Sequence, residues 1–265
     1  MSNNTLIGDF RDIYEARNIL RSLVAKHLYG KYRNSVLGFA WNFITPLILL
    51  LMYYLIFTEI RGDSNIENKW VFITSAIFMF NFLIQCITGG TTAFTGNANM
   101  IKKMYFPKEI LVLSHAISSM IVCIIGHIIV LITLAITSYP IDFYCILLLL
   151  PLLILAFIFG LGTIFFLSTL TVYVRDIQYA LGSIGIALFI LTPMRYMASS
   201  ATGLLETILW LNPLTYYIEY VHSILYWSVF PEIGIIAMCV VLSFGALSLG
   251  YLTFRKLKRG FVKRL

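Results

Sequence analysis

Charged residues are scarce in this sequence. Only 12% of its 265 residues are Asp, Glu, Lys or Arg, whereas an average soluble protein has about 25%. Hydrophobic residues make up 60% of the chain. There is too little charge to cover a soluble surface, so the composition excludes an ordinary soluble domain and predicts one integral membrane domain.

The sequence motifs of several common enzyme classes are also missing. Gly30-Lys31 is followed by Tyr32, whereas a phosphate-binding loop requires Ser or Thr at that position. Neither H-E-x-x-H nor G-x-S-x-G occurs. We therefore expect this chain to be no enzyme and to bind no metal or other cofactor. Any energy that it uses should come from a partner.

Ionisable residues are absent from the apolar interiors, apart from histidine. Ion-coupled carriers and proton pumps usually hold ionisable groups within the membrane, because charge translocation needs them there. Only His115 and His127 are candidates, and packing or hydrogen bonding explains both better. The sequence therefore offers no visible means of coupling transport to an ion gradient.

Cysteines are few and scattered. The four of them lie in or beside apolar segments with no C-x-x-C pair, which predicts buried free thiols. The first 38 residues are polar, so we recognise no cleavable signal peptide and expect the first apolar run to direct insertion. The net charge of +7 comes from basic blocks beside apolar runs, which does not indicate nucleic acid.

Six apolar runs are long enough to cross a membrane, which takes about 20 residues. They predict an all-α polytopic protein with a transmembrane domain over residues 39–254. Pro46 near the start of the first run predicts a mild kink at most, and the fifth run is short. The runs are Phe39–Ile60, Trp70–Phe94, Leu111–Thr137, Phe143–Val174, Tyr179–Met194 and Ile233–Phe254.

Lysines and arginines are distributed unevenly between the two predicted faces. Sixteen of the 19 fall in four segments, namely residues 1–38, residues 97–110, the turn at Arg175, and residues 255–265. Basic residues favour the cytosolic side of a membrane. Both termini are therefore predicted in the cytosol, with residues 1–38 as an N-terminal arm and residues 255–265 as a basic tail.

The N-terminal arm predicts an amphipathic helix between Arg11 and Arg33, because its apolar residues recur at helical spacing. Such a helix lies in the headgroup plane with its apolar side toward the lipid. Its function is either that of a surface anchor alone or, in addition, docking of a cytosolic subunit. Its basic residues are Arg17, Arg21, Lys26, Lys31 and Arg33.

A short basic segment, Lys102–Pro107, separates the second and third runs. With its flanks, Asn97–Leu111, it is the one sizeable interior loop on the predicted cytosolic side. If the protein takes force from a soluble partner, this loop and the arm are the parts that a partner could hold.

Residues 198–231 do not fit a simple span. Leu204–Leu211 is too short to cross, and Asn212-Pro213 interrupts the apolar pattern before Leu214–Phe230. Counting the last segment as a full span would place the basic tail outside, against the charge distribution. We favour a helical hairpin that enters the outer leaflet and returns. An interfacial belt of aromatic residues with no further function is the alternative.

Aromatic residues make up 15% of the chain. Clusters such as Tyr53, Tyr54 and Phe57, or Phe78, Phe80 and Phe82, could line a conduit in which rings stack on sugars. Contact with lipid or packing within the protein is the favoured alternative, since spacing does not say which way the rings face.

Four segments together resemble the family of ABC-type polysaccharide export permeases. Tyr29–Leu47, reading YGKYRNSVLGFAWNFITPL, is similar to the family's entry into its first span, and Asn97–Leu111 to its second signature. Val174–Ile177 and Leu211–Leu214 match two more, in the family's order and across nearly the whole chain. The resemblance is closest to permeases that export lipid-linked O-antigen or teichoic-acid polymers.

The resemblance implies a homodimer in the bacterial cytoplasmic membrane, bound to two copies of an ATPase that carries ATP and Mg. Membrane lipids and a lipid-linked polysaccharide, carried on the polyprenyl lipid undecaprenyl, are its other implied partners, and nucleic acid is not. Coupling to the ATPase is implied for Met100, Ile101, Lys102, Lys103, Met104, Tyr105, Arg175 and Asp176. The resemblance also implies a conduit along the first and fifth spans, capped outside by re-entrant helices. Our candidates for the conduit or its outer mouth are Tyr53, Tyr54, Phe57, Arg195, Tyr196, Glu219 and His222.

Arg195 departs from the family pattern, which has an apolar residue at that place after the fifth span. Its side chain could cap the outer mouth, bind a pyrophosphate or carboxylate of the polymer, or reach the headgroups.

Three other functions stay open at this point. An exporter of a drug or a simple lipid would use the same machinery. An intramembrane glycolipid-modifying enzyme would have to use Glu206, Glu219 and His222. A membrane scaffold without transport activity would need none of these residues.

Overall fold

The structure is a computed structural model that describes residues 12–30, 35, 37–55 and 66–265, without the side chains at 49–50, 53–55 and 262–263. No strand occurs within these ranges, so the all-α prediction is confirmed. The helices are α1 Arg17–Gly30, α2 Trp41–Leu55, α3 Lys69–Ile87, α4 Ala98–Lys103, α5 Glu109–Ile136, α6 Phe143–Tyr173, α7 Asp176–Leu191, α8 Leu204–Leu211, α9 Pro213–Leu225, α10 Ile233–Leu257 and α11 Phe261–Arg264.

Four helical stretches in the described ranges are long and apolar enough to cross a membrane, which confirms a polytopic membrane protein. They correspond to the second, third, fourth and sixth predicted runs: Lys69–Thr92, Glu109–Ile136, Phe143–Tyr173 and Ile233–Gly260. The apolar helix α7 has only 16 residues. Helix α2 is described as far as Leu55, and residues 56–60 of the first predicted run lie outside the described ranges. The count of six spans stays a prediction.

Helices α6 and α10 form the most closely packed pair of the bundle. A Cβ atom added at Gly250 would overlap the carbonyl oxygen of Gly162, and one added at Gly162 would overlap the backbone at Ala246. Because neither glycine has a side chain, the two backbones touch. Small residues allow this close approach between membrane helices, where dispersion contacts stabilise association.

Helix α9 lies inside the bundle, against α3, α6 and α10. It begins where Pro213 needs no N–H partner and where the Asn212 side chain accepts a hydrogen bond from the Leu214 amide at 3.1 Å. The Tyr217 hydroxyl lies 2.7 Å from the Ser243 hydroxyl on α10. The aromatic side chains here were expected at a membrane interface, but Tyr217 and Tyr220 are buried in the core. Packing against other helices replaces the predicted belt at these positions.

Helix α1 has the predicted amphipathic pattern. The apolar residues that form the pattern are buried or half-buried, with Leu23 only 5% exposed, whereas Arg17, Arg21 and Tyr29 are exposed. The apolar side packs against α5 rather than facing lipid alone. The arm is therefore attached to the bundle by protein contacts, which the expectation of a lipid-facing helix did not include.

The predicted basic tail is folded onto the bundle. Helix α10 continues past Phe254 to Leu257, a 3₁₀ turn follows, and α11 begins at Phe261, whose ring is fully buried. The boundary expected after Phe254 therefore falls within the helix.

The predicted buried cysteines and the favoured aromatic packing are also confirmed. All four cysteines are free and buried. Phe78, Phe80 and Phe82 are at most 3% exposed, so they belong to the core. The side chains of Tyr53 and Tyr54, and all of Phe57, lie outside the described part of the chain.

Candidate functional site

The basic loop, residues 97–110, presents a short exposed stretch on a buried base. Lys102, Lys103, Met104 and Tyr105 are exposed, and the Tyr105 side chain is fully accessible. The residues on either side, Ile101 and Phe106, are 6% and 7% exposed and anchor the loop in the core. Helix α4 ends at Lys103, and Met104 adopts an extended conformation, which projects the stretch outward. An exposed thioether and an exposed aromatic ring at one place are typical of a protein-binding surface. The two lysines add positive charge that can steer an acidic partner.

The N-terminal side of the basic loop is attached to α1. The Lys26 ammonium donates to the Asn97 side-chain oxygen at 3.1 Å. The Asn97 amide group in turn donates to the Ala93 carbonyl at 2.9 Å, and Asn97 is buried. This chain of hydrogen bonds joins the N-terminal helix to the loop.

The C-terminal side of the basic loop is attached to the end of α10. The Lys258 ammonium lies 3.0 Å from the Glu109 carboxylate, and the Lys108 ammonium donates to the Lys258 carbonyl at 3.3 Å. Glu109 lies in the first turn of α5, where the helix dipole also favours its negative charge. Burial and the neighbouring Lys258 lower the pKa of Lys108, whereas Glu109 acts in the opposite sense.

An aromatic cluster supports these cations. The rings of Phe94, Phe254 and Phe261 contact one another with centroids 4.8 to 5.9 Å apart. Lys108 lies 5.3 Å from the centroid of Phe261 and Lys258 lies 5.4 Å from that of Phe254, within the range of cation–π attraction. From the sequence, only the basic character of the last residues placed them on the same side of the membrane as this site, and the contribution of Phe261 was missed.

The turn between α6 and α7 lies beside the same loop. Arg175 and Asp176 are exposed, and Asp176 begins α7, where a negative charge is favourable. Arg175 and Arg264 line a cavity of about 360 Å³ whose wall includes Thr95 and Ala98, at the start of the basic loop. The structure thus brings together the loop, the turn and the chain end, as their charges suggested. Lys31 and Arg33 of the arm lie outside the described residues.

Arg195 and Tyr196 bind the end of α7. The Arg195 guanidinium donates to the Phe189 carbonyl at 2.7 Å and lies 4.7 Å from the centroid of the Phe189 ring. The Tyr196 hydroxyl donates to the Leu191 carbonyl at 2.6 Å. Carbonyls at a helix end lack intrahelical partners, so both side chains cap α7. This capping contact was not among the three functions considered for Arg195.

Glu219 and His222 lie elsewhere, on the buried helix α9. The His222 ring is 1% exposed, stacks on Phe72 with a centroid distance of 3.7 Å, and lies 3.1 Å from the Phe72 carbonyl. Its Nδ1 atom is 3.8 Å from the Glu219 carboxylate. The His222 side chain is enclosed by its neighbours in the described part of the chain, and its assignment to the conduit or its mouth stays a prediction. The burial of His222 speaks against an enzyme that would use this pair, although Glu219 is partly exposed, and Glu206 is exposed on α8.

The two histidines of the third apolar run, His115 and His127, are packed as expected. His115 Nε2 lies 3.2 Å from the Gln85 carbonyl, and His127 Nδ1 lies 2.9 Å from the Cys123 carbonyl. Within the described ranges no group of three His, Cys, Asp or Glu side chains could hold a metal ion.

Comparison with known proteins identifies the family of this chain. A family model described as ABC-2 type transporter matches residues 19–226. An O-antigen export system permease protein RfbA from Myxococcus xanthus is 26% identical over 249 residues, which is 90% of this chain and 94% of that protein. Two proteins of the same name from Klebsiella pneumoniae are 29% identical over 200 residues and 27% identical over 256 residues. The first of these alignments covers 74% of this chain and 76% of the relative, and the second covers 94% and 95%.

Proposed function

Because the chain belongs to the ABC-2 type transporter family, we propose that it is the membrane-spanning subunit of an ATP-driven exporter of a lipid-linked polysaccharide. It is a multi-pass protein of the cytoplasmic membrane, and permeases of this family work with an ATP-binding subunit. The substrate class rests on the relatives, whose names state O-antigen export and of which two align over 90% and 94% of this chain.

The observation that carries the coupling part of the proposal is the exposed stretch Lys102–Tyr105. It stands on a base fixed by Ile101, Phe106, Lys26 and the Glu109–Lys258 ion pair. A partner that pushes on a flexible loop would move only that loop. A partner that pushes on this stretch would move the helices behind it, so we assign the loop to the contact with the ATPase.

The proposed topology has six spans, with α2 and α7 supplying the first and the fifth, and both termini in the cytosol. All four basic segments gather at one end of the bundle. Lys26 of the arm donates to Asn97 of the loop, Lys108 contacts Lys258, and Arg175 and Arg264 line one cavity. Segments that all face the cytosol must lie at the same end of a membrane domain. This gathering supports the orientation inferred from the distribution of charge.

We also propose that α8 and α9 form the re-entrant hairpin at the outer end. Helix α8 exposes apolar side chains on most of its surface, with Leu204 77% and Leu211 82% exposed, as expected of a helix in the outer leaflet. Asn212 joins this hairpin to the end of α7, donating to the Thr192 hydroxyl at 3.0 Å. The conduit for the glycan would lie along the first and fifth spans of a homodimer that binds two ATPase copies.

Charge reversal in the basic loop tests this function. The experiment is co-purification of the protein with the ATPase encoded nearest to its gene, for the native chain and for the double variant Lys102→Glu, Lys103→Glu. We expect a stable native complex and at least tenfold less ATPase bound to the variant, since both cations lie at the proposed contact.

The matched control is Lys256→Glu with Arg259→Glu, which changes the total charge equally on two exposed residues outside the loop. Retention of the ATPase by this control and its loss from the loop variant support the assignment. Equal binding by both variants and the native chain, or purification of the native chain without any ATPase, overturns it.

A further inference from the structure

A polar cleft lies within the apolar bundle, between α1, α2, α3 and α5. Its volume is about 500 Å³, within the range of small-ligand sites. Lys26 and His27 line it from α1, Trp41 and Asn42 from α2, Asn81 from α3 and His115 from α5. The roles given above to Lys26 and His115 do not explain why a polar cleft lies at this place.

Asn81 is the least satisfied group of the cleft. Its Nδ2 atom is buried and has no hydrogen-bond partner among the described residues. It stands within α3, where the residues on either side, Phe80 and Phe82, are almost fully buried. A buried donor without an acceptor destabilises a protein by about 1–3 kcal/mol. A ligand that brings an acceptor into the cleft would remove that cost.

The charge of the cleft favours an anion. Among the described residues that line it, Lys26 is the one cation, and none is Asp or Glu. The Lys26 ammonium donates one hydrogen bond to Asn97, which leaves two donors for a ligand. Burial, and then the neighbouring His115 and Lys26, lowers the pKa of His27 to about 4, so that at neutral pH its ring is uncharged and carries one N–H donor.

The position of the cleft matches the head of a lipid. Lys26 and His27 belong to the amphipathic helix α1, which is expected at headgroup level, whereas Phe78, Phe82 and Val122 provide an apolar wall between the spans. A ligand with a phosphate head and a hydrocarbon tail would meet the donors and the apolar wall together. A soluble anion would use only the donors.

We propose that this cleft binds the phosphate head of a polyprenyl-linked substrate on the cytosolic side, through Asn81 Nδ2 and the Lys26 ammonium. This inference rests on the proposed function, since it names the loading site of the same exporter. It assigns substrate recognition to the side of the N-terminal helix that faces the bundle, in addition to its contact with the basic loop.

Trp41 provides a direct reporter, because it lines the cleft. Undecaprenyl pyrophosphate is titrated into the complete complex with its ATPase in lipid nanodiscs, and tryptophan fluorescence is followed, with Trp41→Phe as the blank. We expect a saturable change that the blank lacks. Asn81→Ala, Asn81→Asp and Lys26→Gln are each expected to raise the Kd about tenfold or more, as loss of a hydrogen bond to a charged group does. Asn18→Ala and Lys256→Gln, which replace exposed residues outside the cleft, should leave the Kd unchanged.

Two further ligands, undecaprenol and inorganic pyrophosphate, show whether the cleft recognises the lipid tail, the phosphate head or both together. Undecaprenol should give no saturable change because it lacks the phosphate, and inorganic pyrophosphate should bind at least tenfold more weakly because it lacks the tail. Equal binding of free pyrophosphate, or native affinity in all three cleft variants, overturns the proposal. Asn81→Asp keeps the shape of the side chain, so its melting temperature shows whether a loss of binding reflects misfolding.

The experiments distinguish an error in the proposed binding site from an error in the proposed function. If the cleft variants transport glycan with native affinity, the loading site is wrong while the exporter stands. If the native complex binds the lipid at Trp41 but moves no glycan, the exporter is wrong while the binding site stands.

Discussion

The Lys258 ammonium lies 3.0 Å from the Glu109 carboxylate and thereby joins the end of α10 to the first turn of α5. Glu109 closely follows the exposed stretch of the basic loop, and Lys108 strengthens the connection through the Lys258 carbonyl. Helix α10 is in backbone contact with α6 through Gly162 and Gly250. A force applied to the loop is therefore passed to three long helices at once.

Removal of the Glu109–Lys258 ion pair should separate docking from coupling. Lys258→Gln leaves a carboxylate that is only 8% exposed without its cation, which should destabilise the protein by about 1–3 kcal/mol. Because Lys102–Tyr105 is intact, the variant should still bind the ATPase, but its transport per ATP hydrolysed should fall. The measurements are melting temperature, ATPase co-purification and coupled transport. Arg259→Gln at the exposed neighbouring position is the control, and identical values for both variants would contradict the prediction.

The glycine contact between α6 and α10 should not accommodate a side chain. Gly250→Ala inserts a methyl group where the carbonyl of Gly162 lies, and overpacking of this kind costs about 1–3 kcal/mol. Gly245→Ala on the same helix adds a methyl group where no atom lies within 4 Å, so it should be neutral or slightly stabilising. The melting temperatures of the two purified variants test this difference, and equal values would show that the close contact does not hold the helices.

The docking of α1 should weaken in acid. His27 has a pKa of about 4 in the folded protein, lowered by burial and by His115 and Lys26, against 6.5 for an unperturbed histidine. The stability that neutral His27 contributes is fully present above pH 6.5 and is lost as pH falls toward 4. Between these two values the unfolded chain binds a proton that the folded chain does not. His27→Gln should flatten the dependence of melting temperature on pH within this window. A slope unchanged by the substitution would show that His27 does not cause it.

We expect Arg195 to stabilise the protein rather than to bind the substrate. Arg195→Gln removes two hydrogen bonds to the terminal carbonyls of α7 and a favourable charge at that end, which together contribute about 1 kcal/mol. We expect a lower melting temperature and normal transport at a temperature where the variant is folded. Lost transport with unchanged stability would instead favour a contact with the polymer.

Much of the architecture follows from periodicity and charge. The apolar runs predicted the four long helices to within a few residues at most ends, and the helical spacing of the arm predicted the buried side of α1. These signals are local, since a helix needs only its own pattern to be recognised. The free, buried cysteines followed from composition alone.

Contacts between distant segments could not be predicted in this way. In a membrane protein an apolar face is equally suited to lipid and to another helix, so nothing in the sequence of α9 placed Tyr217 and Tyr220 in the core. The ion pair of Glu109 with Lys258 joins residues 149 positions apart. Asn81 is one of several polar residues within an apolar run, and only its unpartnered amide in the structure distinguishes it from the others.

The most direct measurement of the proposed function is the location of the lipid-linked glycan in cells that lack this protein. We predict that full-length polymer accumulates on its polyprenyl carrier at the cytosolic face while surface polymer is lost, and that the native gene restores export. The loop variant Lys102→Glu, Lys103→Glu should fail to restore it. Normal surface polymer in the deletion strain, or a carrier-linked polymer of altered chemical structure, would contradict an exporter.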